Sequence, residues 1–241
     1  MIYDLNELKI VFSSGTMLTK KTLDNTVQTK TLNIDDVKKI YDIAKKITES
    51  NPLFVFKTLH LNQPENDVVY THSFNVAIIS LFIAKWCNLK ETEMQKVFEG
   101  AIMHDIGKLF VDDDVLNKED KLSHTEKAQV SSHTVEGYKE FRKTGLDIDI
   151  LSSILMHHER MDGSGYPLGL HDEKINKFAR IIAIADKYEG MTSKRRYRDP
   201  YTPFDAVSHI DSVKFKFDDN FVNAFLENMY EVVKQSEKVV L

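Results

Sequence analysis

Cysteine is almost absent: Cys87 is the single one in 241 residues. One thiol forms no intramolecular disulfide and no four-thiolate zinc site, so a reducing compartment is expected. Long apolar runs are missing too. A membrane helix needs about 20 apolar residues in succession. The most apolar stretch, Phe74 to Trp86, is broken by Asn75, Ser80 and Lys85. The start, Met1-Ile2-Tyr3-Asp4, lacks the basic flank and apolar stretch of a signal peptide. No membrane association and a cytoplasmic location are therefore expected. Positive charge is in deficit: 32 Lys and Arg against 37 Asp and Glu leave a formal charge of −5. With a pI near 6.0, the chain is not expected to bind DNA or RNA through the phosphate backbone. A small anionic ligand held by a few local cations or metals remains compatible with that balance.

What is present is an ordinary globular composition, 42% hydrophobic and 29% charged. A chain of 27.8 kDa buries roughly 70–75% of its unfolded surface, enough for a real core. Residues 1 to about 32 stand apart, rich in Thr, Ser, Asn and Lys, with a turn signal at Ser13-Ser14-Gly15. They are expected to form short strands or a loose arm. From Asn33 the pattern is helical. Ile34, Val37, Ile40, Tyr41, Ala44 and Ile47 recur at three and four residues, and Asn51-Pro52 ends that helix. Further helices are expected over 68–88, 91–105, 147–159, 174–190, 202–210 and 218–234. Ser123 with Glu126 forms a capping box opening a helix through about Phe141. Asp162 to Pro167 reads as a loop, and Lys194 to Arg198 as a basic one. The expected fold class is all-α. Residues 1–50 are expected to be an arm or small regulatory or interaction segment, and 51–241 a single domain.

Five of the nine histidines sit where chemistry is expected: His72, His104, His133, His157 and His158. His104-Asp105-Ile106-Gly107-Lys108 closes an apolar helix, with Lys108 four residues after His104 and so on the same face if the helix continues. His157-His158-Glu159 ends a second apolar helix. Asp186 follows the apolar run Ile181 to Ala185. A lone histidine is more often a hydrogen-bonded core or surface residue, and a lone Asp a cap. Several imidazoles and carboxylates buried together are costly unless compensated, and divalent ions compensate them. Imidazole nitrogen and carboxylate oxygen suit iron, manganese, zinc or nickel. The Asp of a His-Asp pair is placed to bridge two ions, and a water bridging them would be acidified into a nucleophile.

The order His…His-Asp…His…His-His…Asp resembles the HD superfamily of metal-dependent phosphohydrolases. More narrowly it resembles the HD-GYP family of cyclic-dinucleotide phosphodiesterases. The matching segments are Tyr70 to Ala77, His104 to Lys108, Ser132 to Tyr138 and Ala179 to Tyr188, running into Met191 to Arg198. The most specific is His157-His158-Glu159-Arg160-Met161-Asp162-Gly163-Ser164-Gly165-Tyr166-Pro167. The resemblance covers about residues 65–230. It implies an HD-type helical bundle with a central metal site, and by position the ligands His72, His104, Asp105, His133, His157, His158 and Asp186, with Asp105 bridging. It implies hydrolysis of cyclic di-GMP, or of the mixed GMP–AMP cyclic dinucleotide, by a metal-bound hydroxide. Lys108 would contact a phosphate, Tyr166 would shape the substrate site, and Arg195 and Arg198 match cationic positions near the ligand.

Two positions depart from the family pattern. Members with three metals carry a glutamate four residues before the first histidine, where this chain has Val68; Glu65 is seven residues before it. Two divalent ions are therefore expected, iron or manganese, with zinc or nickel as ions acquired on purification. If a dinuclear site limits hydrolysis to one step, linear pGpG rather than GMP is the main product. Arg196 stands where the family usually has proline. The rival readings are a cyclic-dinucleotide receptor without turnover and an HD phosphohydrolase for another nucleotide. A homodimer or a signalling-protein partner is also expected. The other residues are expected to be structural. His60, His124, His171 and His209 should face solvent and Cys87 should be a small buried hydrophobe. Asp112 to Asp114 should be a solvated loop, and Glu159 and Asp162 should hold the His-His turn and the Gly-rich loop.

Overall fold

The computed structural model describes residues 3–61, 68–116, 118, 120, 121, 123–194 and 199–239. The helices follow in order: α1 (Leu5–Thr29), α2 (Ile34–Thr48), α3 (Pro52–Leu61), α4 (Val68–Trp86), α5 (Glu91–Met103), α6 (Asp113–Leu116), α7 (His124–Ser131), α8 (His133–Phe141), α9 (Ile148–Met156), α10 (Lys177–Thr192), α11 (Pro203–Ser212) and α12 (Asp219–Val239). Short 3-10 turns lie at Ile106–Phe110, Asp172–Lys174 and Lys214–Lys216. Among the described residues the extended pairing is a single bridge, Asp162 with His171, and the all-α expectation holds.

The axis of the bundle is α4. Residues 71–84 are buried on every side, and α1, α2, α5, α10 and α12 pack around them. By length and apolarity alone this helix could cross a membrane, but 78% of its most apolar window lies inside the protein. It serves as a core helix. At its C-terminal end Phe56, Phe82, Trp86, Tyr188 and Phe225 form an aromatic layer joining α3, α4, α10 and α12. His72 stands 14 residues earlier, about 21 Å away at helical rise. Sequence periodicity locates α2 well. Its buried face is Val37, Ile40, Tyr41, Ala44 and Ile47, Asn33 caps it, and acids lead while lysines close.

The N-terminal expectation of strands or a loose arm is overturned. Residues 5–29 form one long helix, opened by a capping box between Asp4 and Glu7. Its buried stripe is Leu8, Phe12, Gly15, Thr19, Thr22, Leu23 and Thr26. Threonines hold the places where aliphatic residues would have shown a helical period. Burial is tolerable because Thr19 and Thr26 donate to the carbonyls of Gly15 and Thr22, at 2.9 and 2.7 Å. Gly15 is no turn. A Cβ there would lie 2.1 Å from Cζ of Phe74, so the missing side chain is the notch into which that ring packs.

The single helix expected from Ser123 to Phe141 is two. The capping box is present at Ser123 and Glu126, but the chain bends at Ser132, whose hydroxyl bonds back to the Gln129 carbonyl at 2.7 Å. Cys87 is half-buried rather than buried, and burial raises its thiol pKa. His209 is half-buried, while His124 and His171 are exposed. The side chain of His60 lies outside the described residues.

Replacing Gly15 with alanine tests the notch. Alanine favours a helix over glycine by about 0.5–1 kcal/mol, whereas overpacking a core costs about 1–3 kcal/mol. Gly15→Ala should therefore lower stability in urea unfolding by about 1–2 kcal/mol. A more stable variant would show that Phe74 gives way freely.

Candidate metal centre

The seven expected site residues come from separate parts of the chain and meet in one place. His72 lies on α4 and His104 ends α5, with Asp105 in the turn that follows. His133 opens α8, His157 ends α9 with His158 after it, and Asp186 lies on α10. Their donor atoms fall into two groups. Asp105, His133, His157 and His158 form one and His72, His104 and Asp186 the other, the atoms of each within 4.8 Å of one another. Asp105 faces both. Its Oδ2 lies 3.2 Å from His72 Nε2 and 3.4 Å from His104 Nε2. Its Oδ1 lies 3.1 Å from His133 Nε2 and 3.7 Å from His157 Nε2. Asp186 also straddles the groups, with Oδ1 3.2 Å from His72 Nε2 and Oδ2 3.6 Å from His158 Nδ1.

Main-chain carbonyls decide where the imidazole protons sit. Nδ1 of His104 lies 2.7 Å from the Ala101 carbonyl, and that of His133 lies 2.7 Å from Val130. Nδ1 of His157 lies 3.0 and 3.1 Å from Ser153 and Ile154. A carbonyl only accepts, so each Nδ1 carries the hydrogen and each neutral ring turns a bare Nε2 lone pair inward. Two of those lone pairs converge, His133 on His157 at 3.2 Å, and His104 turns its own toward Nε2 of His72 at 3.3 Å. Asp105 Oδ1 is buried and has no hydrogen-bond partner despite the nearby nitrogens. Lone pairs meeting lone pairs in an apolar interior call for cations, and this donor set fits divalent metal ions.

Ionisation follows the same crowding. Burial drives His157 well below its ordinary pKa, helped by the neighbouring imidazoles. Burial takes His158 down to about 3 against the pull of Asp186. Burial also opposes charge on His72, but Glu189, Asp105 and Asp186 outweigh it and hold that pKa high. Asp105 and Asp186 are driven down: burial resists, and Lys108 beside Asp105 and His72 beside Asp186 prevail.

The mouth is where exposure begins. His104, His133, His157 and Asp105 are at most 1% exposed, whereas Lys108 reaches 21% and His158 18%. Tyr166 stacks on the His158 ring, centroids 4.7 Å apart, and is itself partly exposed. Lys108 does not continue a helical face from His104. The helix ends at Met103, a 3-10 turn follows, and Lys108 pairs instead with Asp105. That turn presses against α8, since a Cβ on Gly107 would lie 1.9 Å from the His133 carbonyl oxygen. The carboxylate of Glu159 accepts from the Leu168 and Leu170 amides at 2.7 and 2.9 Å and so holds the Gly-Tyr-Pro loop. Asp162 caps Ser164 within that loop. Arg195 and Arg198 lie outside the described residues, as do Arg196 and Glu65.

Sequence reasoning missed two residues. Arg160 donates to the His157 and Glu159 carbonyls at 3.2 and 2.8 Å and so ties the His-His turn. Glu189, 4% exposed, lies 2.5 Å from His72 Nδ1. It sits one helical turn after Asp186 on α10, the one local cue to its role.

The sequence matches the HD domain family over residues 48–220. It is 31% identical over 166 residues to a cyclic di-GMP phosphodiesterase of Pseudomonas aeruginosa, covering 67% of this chain and 39% of that protein. It is 35% identical over 135 residues to 3′3′-cGAMP-specific phosphodiesterase 1 of Vibrio cholerae, covering 56% of this chain and 31% of that one. The chain thus spans less than half the length of these relatives. A solved HDG"Y"P protein of Bdellovibrio bacteriovorus has the same fold. Its TM-score is 0.72 at 18% identity, over 96% of this chain and 73% of that one. The chain belongs to the HD domain family, and its motif from His157 to Pro167 is of the HD-GYP type.

Proposed function

We propose that the protein is a metal-dependent phosphodiesterase that hydrolyses cyclic di-GMP to linear pGpG. The observation that carries this reading is the Asp105 carboxylate, set between two groups of inward lone pairs with Oδ1 unpartnered. Two divalent ions, iron or manganese, would be held by His72, His104 and Asp186 on one side and by His133, His157 and His158 on the other, with Asp105 between them. Val68 supplies no donor atom one turn before His72, which favours two ions over three. Bound there, divalent ions acidify water toward neutral pH and neutralise phosphate charge.

The chain's own groups do the rest. Lys108, at the mouth beside Asp105, offers its ammonium to a phosphate oxygen. Tyr166 keeps one ring face on His158 and leaves its edge and outer face for a base. Arg195 and Arg198 are assigned to the phosphates or bases from their place in the motif alone. A substrate with two phosphates and two flat bases needs these few cations and one aromatic, so the net charge of −5 is no obstacle. Hydrolysis of the mixed GMP–AMP cyclic dinucleotide is the second reading, favoured by the likeness to the Vibrio cholerae enzyme. A cyclic-dinucleotide substrate implies a cytoplasmic location.

We further propose that residues 1–50 regulate the domain of residues 51–241, for a signalling partner or a second copy. The support is where α1 touches. Asp24 Oδ1 lies 2.5 Å from the hydroxyl of Tyr70, two residues before His72. Lys30 pairs with Glu140 at 2.6 Å and lies 4.5 Å over the ring of Phe110, which closes the 3-10 turn after Asp105. The α1 helix and its cap therefore grip both the start of α4, which carries His72, and the turn that follows Asp105.

Metal-loaded protein should convert cyclic di-GMP to pGpG as the dominant early product, read by chromatography beside the mixed dinucleotide. Lys108→Ala should keep its metal and lose about 10²-fold in turnover, the usual cost of one donor to developing charge. Binding without turnover by fully loaded protein would make it a receptor, and GMP as the early product would sink the single-step reading. Lys30→Met should change turnover while leaving metal content intact, and unchanged turnover would remove the regulatory role.

A further inference from the structure

The imidazoles differ at their outer nitrogen. His104, His133 and His157 each direct Nδ1 to a main-chain carbonyl. His72 directs Nδ1 to the carboxylate of Glu189 at 2.5 Å. That carboxylate is itself aimed: Ser193 Oγ donates to its Oε1 at 2.5 Å and Asn75 Nδ2 at 3.3 Å. A carboxylate on the outer N–H fixes ring orientation and strengthens the inner nitrogen as a donor, more than a neutral carbonyl does.

Charge is distributed in the same unequal way. The group of His72 and His104 includes the Asp186 carboxylate and has Glu189 directly behind it. The group of His133, His157 and His158 has three imidazoles, no carboxylate of its own, and shares Asp105 Oδ1. Asp186 reaches this second group only through Oδ2, 3.6 Å from His158. Lys108 works in the opposite direction, since it pairs with the Asp105 oxygen that faces His72 and His104. Among the described residues the first group thus has one carboxylate of its own and a second behind His72, neither of which the other group has to itself.

We propose that Glu189 is a positioning residue that makes the two metal positions unequal. The ion held by His72, His104 and Asp186 is retained, and the ion held by His133, His157 and His158 exchanges. This rests on the two-metal reading of the site. Removal of the looser ion would begin at His158, the more exposed of that group.

The test is metal counting during titration of manganese-loaded protein with a chelator. Wild-type protein should release one ion per chain first, and the second only at chelator levels about 10–100-fold higher, the usual weight of such an outer partner. Glu189→Gln keeps an oxygen to accept from His72 and removes the charge. It should bring the second release about 10–100-fold closer to the first while leaving the first unmoved. Glu189→Asp, which restores the charge on a shorter arm, should recover part of the gap. A purely structural role would instead lower the melting temperature of metal-free Glu189→Gln and shift both releases together. Simultaneous release from wild type, or two unchanged releases from Glu189→Gln, would overturn the inference and leave the metal centre standing. A wild-type protein that holds no metal would overturn both.

Discussion

Inward-facing lone pairs in an apolar interior are the constraint on which the rest depends. Three rings are locked by carbonyls at Nδ1, so their Nε2 atoms have no proton to share with one another or with Asp105. Without cations such a cluster is repulsive, and burial denies it water. With divalent ions the same contacts become bonds, and their binding energy adds to folding energy. The bundle carries the cluster by surrounding it with helices whose apolar residues are buried in one core.

Helix geometry places the donors without long flexible loops. His104 and His157 end helices, His133 begins one, and His72 and Asp186 project from the buried α4 and α10. Outer contacts then fix each donor. Gly107 lets the Asp105 turn lie against α8, Arg160 ties the His-His turn, and Glu159 folds the Gly-Tyr-Pro loop back over it. The loop sets Tyr166 on His158 at the mouth, so the donor atoms and the substrate-facing edge are built by one continuous motif.

The helical core was legible wherever aliphatic residues recur with helical period, as in α2. It was not legible in α1, where threonines, two of them bonded to carbonyls one turn back, replace that period and a glycine serves as a packing notch. The donor residues stood out because polar pairs such as His104-Asp105 and His157-His158 interrupt apolar runs. Their division into two groups did not, because it depends on which oxygen of Asp105 faces which ring. Glu189 was hidden because its partner His72 lies 117 residues away. The pairing of Lys108 with Asp105 was not legible, because it depends on the chain tightening into a 3-10 turn after Met103 instead of continuing as a helix.

The Asp105 carboxylate turns one oxygen to each half, so the account is tested most directly by counting metal in the Asp105→Ala protein beside the wild type, both purified without oxygen. Elemental analysis should find two divalent ions per wild-type chain, and neither ion retained in the variant. Two ions in Asp105→Ala would contradict the placing of Asp105 between the metals and, with it, the reading of the site.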